Sequence, residues 1–248
     1  MRERFFSMCM AVVFAFCGFK IAETERTLTR LEDGVLRLHI LADSDETDDQ
    51  IRKLLVRDTL IEHAGQWLEN AADRSQAEHS ISTHLCDIER IAEETLLANG
   101  CKDSVQAVLC ETDFPSRTYG DVTLPAGRYQ TLRVEIGAAK GQNWWCVMYP
   151  SLCLPAASRI VASDESEYQQ MRENFDASVC DMTLSPEKYE VRLKCVELWR
   201  GIKRYVTKKL ADAKDIAVIP EGNDTEAEHP AAMHPECRTF PCEAVPDK

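Results

Sequence analysis

The stretch YGDVTLPAGRYQTLRVEIGAAKGQNWWCVMYPSLC, from Tyr119 to Cys153, carries the elements from which the fold is read. Leu-Pro-Ala-Gly at 124–127 forms a turn. In YQTLRVEI, Tyr129, Leu132, Val134 and Ile136 run along a strand whose Arg133 and Glu135 face solvent. Gly137-Ala-Ala-Lys-Gly141 then turns a hairpin, with Gly141 accepting a positive φ. Trp145–Tyr149 is continuously apolar, as expected of a central or well-covered strand. Trp144 and Trp145 are adjacent, so on a strand their rings point to opposite faces. One enters the core. The other is either covered by a helix or stands beside Tyr149 as an interface anchor.

Upstream, VLRLHILA at 35–42 alternates Leu36, Leu38 and Ile40 against Arg37 and His39, the pattern of a half-buried strand. A polar turn follows from Asp43 to Asp49, and Thr47 with Gln50 forms a capping box for a helix over about 48–70. Ile51, Leu54, Leu55, Ile61, Ala64 and Leu68 make its apolar stripe; Asp58 interrupts the stripe and calls for an arginine partner or backbone amides. Ser75 with Glu78 caps a second helix, lined by Ile81, Leu85, Ile88, Ile91, Ala92 and Thr95 and stopped by Asn99-Gly100. Val105, Ala107 and Leu109 alternate in a further strand. A short helix runs from Ser163-Asp164-Glu165 to about Asn174. Ser185 and Pro186 then open an amphipathic helix with the stripe Tyr189, Leu193, Val196, Trp199, Ile202, Val206 and Leu210. Its basic positions read as a solvated face on a docked helix, ahead of a membrane-surface role. The predicted class is α+β: a small, mostly antiparallel sheet with two N-terminal helices and a C-terminal amphipathic helix packed on it.

The chain has 248 residues and a formal net charge of −13. Phosphate neutralisation needs a basic surface, so this balance argues against nucleic acid, and likewise against adsorption of the globular part to anionic lipid. Residues 1–22 stand apart. Arg2 and Arg4 precede the uncharged FFSMCMAVVFAFCGF, which reads as an export signal or, if retained, an N-terminal membrane anchor. As a helix, Phe5–Ala22 would reach roughly 27 Å against a hydrocarbon core of about 30 Å. The expected organisation is therefore this segment, a globular domain over 35–211 and a disordered acidic tail over 220–248.

The chain holds eleven cysteines. Cys146 and Cys153 bracket a Pro-containing bend and are the expected disulfide. Cys237 and Cys242 could pair similarly, and Cys86, Cys101, Cys110, Cys180 and Cys195 read as buried free thiols. The acidic turn breaks the calcium-loop pattern at Thr47 and lacks its glycine. Gly137–Gly141 is not followed by the Gly-Lys-Ser/Thr of a phosphate loop, and no His-Glu-x-x-His or Gly-x-Ser-x-Gly occurs. His229, His234, Cys237 and Cys242 are too loosely spaced for a metal site. No catalytic residue, cofactor or metal is expected. The competing enzyme reading is an exported hydrolase using Cys146, or the carboxylate pair Asp121 with Glu135.

Three blocks carry a family resemblance. YGDVTLPAG (119–127), LRVEIG (132–137), GQNWWCV (141–147) and the Pro-x-Leu-Cys ending at Cys153 form the first. LRLHILADSDETDDQIRKLLVRD (36–58) is the second and YEVRLKCVELW (189–199) the third. Together they resemble the sporulation stage II protein R family, with Asp43 standing where that pattern carries asparagine. The resemblance implies a protein made in the forespore and exported into the space between forespore and mother cell. There it would act by binding, triggering a membrane-embedded aspartic protease to process pro-sigma-E. The implied partner is the extracytoplasmic part of that protease, with membrane contact only through residues 1–22. Trp144, Trp145 and Tyr149, with the turn residues Asp43 and Asp45, are the candidate contacts. An anchored structural protein of the septum is the remaining alternative.

Overall fold

The structure, a computed structural model, describes residues 2–150 and 165–215. The expected Cys153 partner, the Cys237–Cys242 pair, His229, His234 and the acidic tail lie outside the described residues. The elements are α1 (Arg2–Gly34), β1 (Leu36–Leu41), α2 (Thr47–Leu68), α3 (Arg74–Thr83), α4 (Leu85–Ala98) and β2 (Val105–Phe114). They continue with β3 (Arg117–Tyr119), β4 (Val122–Leu124), β5 (Gly127–Ile136), β6 (Asn143–Tyr149), α5 (Glu165–Asn174), α6 (Ala177–Leu184) and α7 (Glu190–Asp215).

The fold is α+β. Its main sheet has the order β2-β5-β1-β6, and β3 and β4 form a separate two-stranded ribbon. β2 and β5 pair antiparallel along their full length, from Val105 opposite Ile136 to Phe114 opposite Gly127. β1 lies parallel to β5 and antiparallel to β6. The expected β5–β6 hairpin is therefore replaced by a crossover, because β1 inserts between the two strands. The loop after β5 instead crosses the end of β1: the amides of Lys140 and Gly141 donate to the carbonyls of Asp43 and Ala42 at 3.1 and 2.9 Å. Gly137 takes the positive φ, +56°, that was expected of Gly141. Gly141 is required for closeness, since a Cβ there would stand 2.1 Å from the Ser44 carbonyl oxygen.

Helices cover both faces of the sheet. On the first face, Leu36, Leu38, Ile40, Leu109, Leu132 and Val134 pack against Val56, Leu60, Ile81, Leu85, Ile88 and Leu96 of α2–α4. On the second face, Leu28 and Leu31 of α1, Val122 and Leu124 of β4, and Val179 and Met182 of α6 cover Phe114, Tyr129 and Val147. β1 is consequently buried at every position, Arg37 and His39 included, where alternation had predicted a solvent face. The packed part of α1 precedes residue 35. Its N-terminal portion is exposed, and the helix contains a stretch long and apolar enough to cross a membrane.

Local signals resolve in detail. Glu46, not Thr47, is the N-cap of α2 and lends no side-chain bond; Ser44 binds the Glu46 amide and Asp49 instead. The buried face of α2 is Lys53, Val56 and Leu60, so the stripe is rotated from the expected one and Ile51 is half exposed. Asp58 is paired with Arg57, at 2.6 Å. Asp73 caps α3 by accepting from the Gln76 amide, and Gln76 accepts from the Ala72 amide. That reciprocal pair displaces the Ser75–Glu78 box, and the single expected helix breaks at His84 into α3 and α4. The end of α4 holds as read: Gly100 at φ +73° lets Cys101 and Gly100 donate to Leu96 and Leu97. Ser185 and Pro186 open a 3-10 turn before α7, and Ser185 makes no side-chain cap.

Candidate interaction surface

The second face of the sheet is organised around a buried cation. Arg37 has no solvent exposure, yet no carboxylate among the described residues holds it. Its Nε donates to the Cys146 carbonyl at 3.0 Å and its Nη2 to the Tyr119 hydroxyl at 2.7 Å. The guanidinium lies over Phe114 at 4.1 Å and Tyr129 at 4.9 Å, with Tyr119 at 5.6 Å. Aromatic faces are electron-rich, so the ring cluster offsets part of the cost of removing the charge from water. Burial pushes the Arg37 pKa down from its ordinary value, and the nearby tyrosines oppose that shift. A guanidinium nevertheless stays charged. Tyr119 also donates to the Trp145 carbonyl at 3.3 Å, and Tyr129 to the Pro125 carbonyl at 2.8 Å. The Tyr119–Gly127 block thus locks the ribbon onto β1 and β6.

Next along β1, the His39 ring stacks on Trp145 with centroids 3.8 Å apart, and Phe114 meets Trp145 edge-on at 4.5 Å. His39 Nε2 lies 2.7 Å from the Asn143 side-chain oxygen, an acceptor, so Nε2 carries the proton. Nδ1 is buried and has no hydrogen-bond partner in the described structure. Burial lowers the His39 pKa to about 4, against the raising effect of Asn143.

The candidate contacts do not form one surface. Trp144 turns to the α2 side, half-buried beneath Arg57 at 4.3 Å, and Arg57 is itself paired with Asp58. Trp145 faces the opposite side, half-buried over His39. A register irregularity between β1 and β6 places Tyr149 opposite Leu36 and against the first core, where its hydroxyl donates to Asn174 at 3.1 Å. Asp43 is structural: its carboxylate accepts from the Ala138 amide and helps seat the crossover loop. Asp45 is exposed on the turn. Lys53, which no sequence signal singled out, is buried and donates to the Gln142 carbonyl at 2.9 Å, tying α2 to the same loop.

Cys146 is disulfide-bonded, and so is Cys86, which corrects the reading of Cys86 as a buried free thiol; it is exposed on α4. Cys101, Cys110 and Cys180 are buried free thiols and Cys195 is a half-buried one. Asp121 and Glu135 are not brought together as a pair: Asp121 lies between β3 and β4, while Glu135 is bridged to Arg133. Among the described residues no three His, Cys, Asp or Glu side chains gather as a metal site.

The residues that build this layer, from Arg37 through the Tyr119–Gly127 block to Trp145, fall within a match to the family model for stage II sporulation protein R, which spans residues 32–159. The chain belongs to the stage II sporulation protein R family. It is 32% identical over 159 residues to the stage II sporulation protein R of Bacillus subtilis (strain 168), covering 64% of this chain and 71% of that protein. No solved structure matches. A sporulation-related role follows from this membership, and the family name denotes no enzyme.

Proposed function

We propose that this protein is an exported signal of endospore formation that activates a membrane-embedded aspartic protease to process pro-sigma-E, and that it does so by binding. The observation that carries the reading is the family match, which includes both blocks around β1 and β6. Two structural features support binding over catalysis. A bridged Cys146 has no thiolate to offer as a nucleophile. Glu135 is committed to Arg133. The apolar N-terminal part of α1 suits an export signal or a membrane anchor. Retention of that part in the mature protein would favour the anchored version.

Activation of this kind requires the protein to bind the active arrangement of the protease more tightly than the resting one. Asp45, exposed on the turn, and Trp145, half-buried on the second face, are kept as candidate contacts. Cells lacking the gene should accumulate unprocessed precursor, and the intact chain should restore processing. Precursor maturing on schedule without the gene overturns the proposal.

A further inference from the structure

α7 is apolar on two sides. Its inner side begins with Leu193 and Val196, which pack in the second core. The next inward position is Arg200, whose guanidinium holds the Glu32 carboxylate at 2.8 and 3.0 Å and Thr29 at 3.0 Å. From there the apolar residues turn away from the domain. Leu198, Trp199, Ile202, Tyr205, Val206 and Leu210 are each between 47% and 66% exposed. At 100° per residue they centre roughly 140° around the helix from the docked side. They form an outward ridge that no described residue covers. The predicted single stripe of this helix is thus two: its first half docks, and its second half drifts off the contact.

The ridge has its own charge. No Asp or Glu occurs between Leu198 and Leu210, while Lys203, Lys208 and Lys209 are exposed beside it. This is a local reversal in a chain of net charge −13. An apolar strip at i, i+4, i+7 with basic flanks fits a hydrophobic groove rimmed by carboxylates. It would also fit an anionic bilayer, but direction argues against that. Arg192 lies within electrostatic reach of Glu23, and Arg200 contacts Glu25, Thr29 and Glu32, so α7 runs alongside α1 in the same sense. With the apolar part of α1 in a membrane, that shared sense carries the far end of α7, and the ridge with it, away from the membrane surface. An interfacial helix must lie in the plane. A second copy docking ridge to ridge would oppose like charges.

The geometry points to the outward ridge of α7 as a surface that meets the protease, through an apolar, acid-rimmed face on its extracytoplasmic part. This rests on the proposed function. The test measures binding of the full-length chain to the purified extracytoplasmic part of the cognate protease. Two variants are compared with wild type: Leu198→Glu with Ile202→Glu, and Lys208→Glu with Lys209→Glu. All four positions are exposed, so circular dichroism should be unchanged. The first pair should weaken binding at least about tenfold. The second should weaken it severalfold and flatten its salt dependence. Wild-type binding that both variants retain in full overturns the ridge and leaves the proposed function standing. No wild-type binding at all overturns both. Protection of 203–209 from trypsin by protein-free anionic vesicles, lost in the variants, would assign the ridge to lipid. A dimer of the chain alone that the variants dissociate would assign it to a second copy.

Discussion

Acidification should unfold this protein through His39 in a way that can be isolated and measured. The ring is buried, Nε2 donates to Asn143, and Nδ1 faces no acceptor among the described residues. Protonation would therefore bury a charge with an unpaired N–H. The folded-state pKa is about 4, below the ordinary value of 6.5. The unfolded chain thus takes up a proton near pH 6.5 that the folded chain refuses until pH 4. The associated stability is complete above pH 6.5 and is lost as pH falls through that window. At 1.36 kcal/mol per unit, the loss is about 3 kcal/mol. Other groups titrate in the same range, so the measurement is a difference. Urea unfolding of wild type and His39→Gln, in mild detergent that covers the apolar part of α1, should be followed at pH 7.5, 6.5, 5.5 and 4. Glutamine has no charge to acquire. Wild type should lose about 3 kcal/mol more than the variant between the extremes. A stability difference that stays constant with pH would refute the buried, neutral imidazole.

Other consequences follow from the same packing. Gly141→Ala would drive a Cβ into the Ser44 carbonyl, a backbone group that cannot swing aside, and should cost about 1–3 kcal/mol or more in urea unfolding. Arg37→Ala removes two hydrogen bonds and the filling of an aromatic box, for a loss of about 2–4 kcal/mol. Arg37→Met keeps most of the volume and should recover part of that loss, separating packing from charge. Glu32→Gln should loosen α7 from α1, seen as faster hydrogen exchange in the first half of α7 with little change in the sheet.

Local chemistry was readable along the chain, and long-range pairing was not. The Asn99-Gly100 stop and the apolar face of α4 depend on neighbours a few residues away, and each formed as the pattern indicated; Val105, Ala107 and Leu109 of β2 reach the first core together, while Val108 and Cys110 between and after them are buried as well. Strand order depends on residues far apart. β1 and β5 are parallel partners separated by three helices, and nothing in LRLHIL specifies which strands will flank it. Arg37 and His39 looked solvent-facing because charge usually is; an aromatic box assembled from β2, β3 and β5 made burial tolerable instead. The second layer was missed for a related reason. Its central element, the C-terminal part of α1, continues the export-like segment in one helix, and only the inward Leu28 and Leu31 mark where packing begins. Of the candidate contacts, adjacency correctly sent Trp144 and Trp145 to opposite faces. The irregularity that moves Tyr149 off the Trp145 face has no signature in NWWCVMY.

The central claim is that this family member works by engaging a protease, with no chemistry of its own. The most direct measurement mixes the purified chain with the membrane-reconstituted protease and the precursor sigma factor, and follows cleavage against chain concentration. Cleavage should begin only when the chain is added, saturate as binding sites fill, and disappear when the protease's own catalytic aspartates are removed. Cleavage that persists without a functional protease, or that ignores the chain altogether, would contradict the claim.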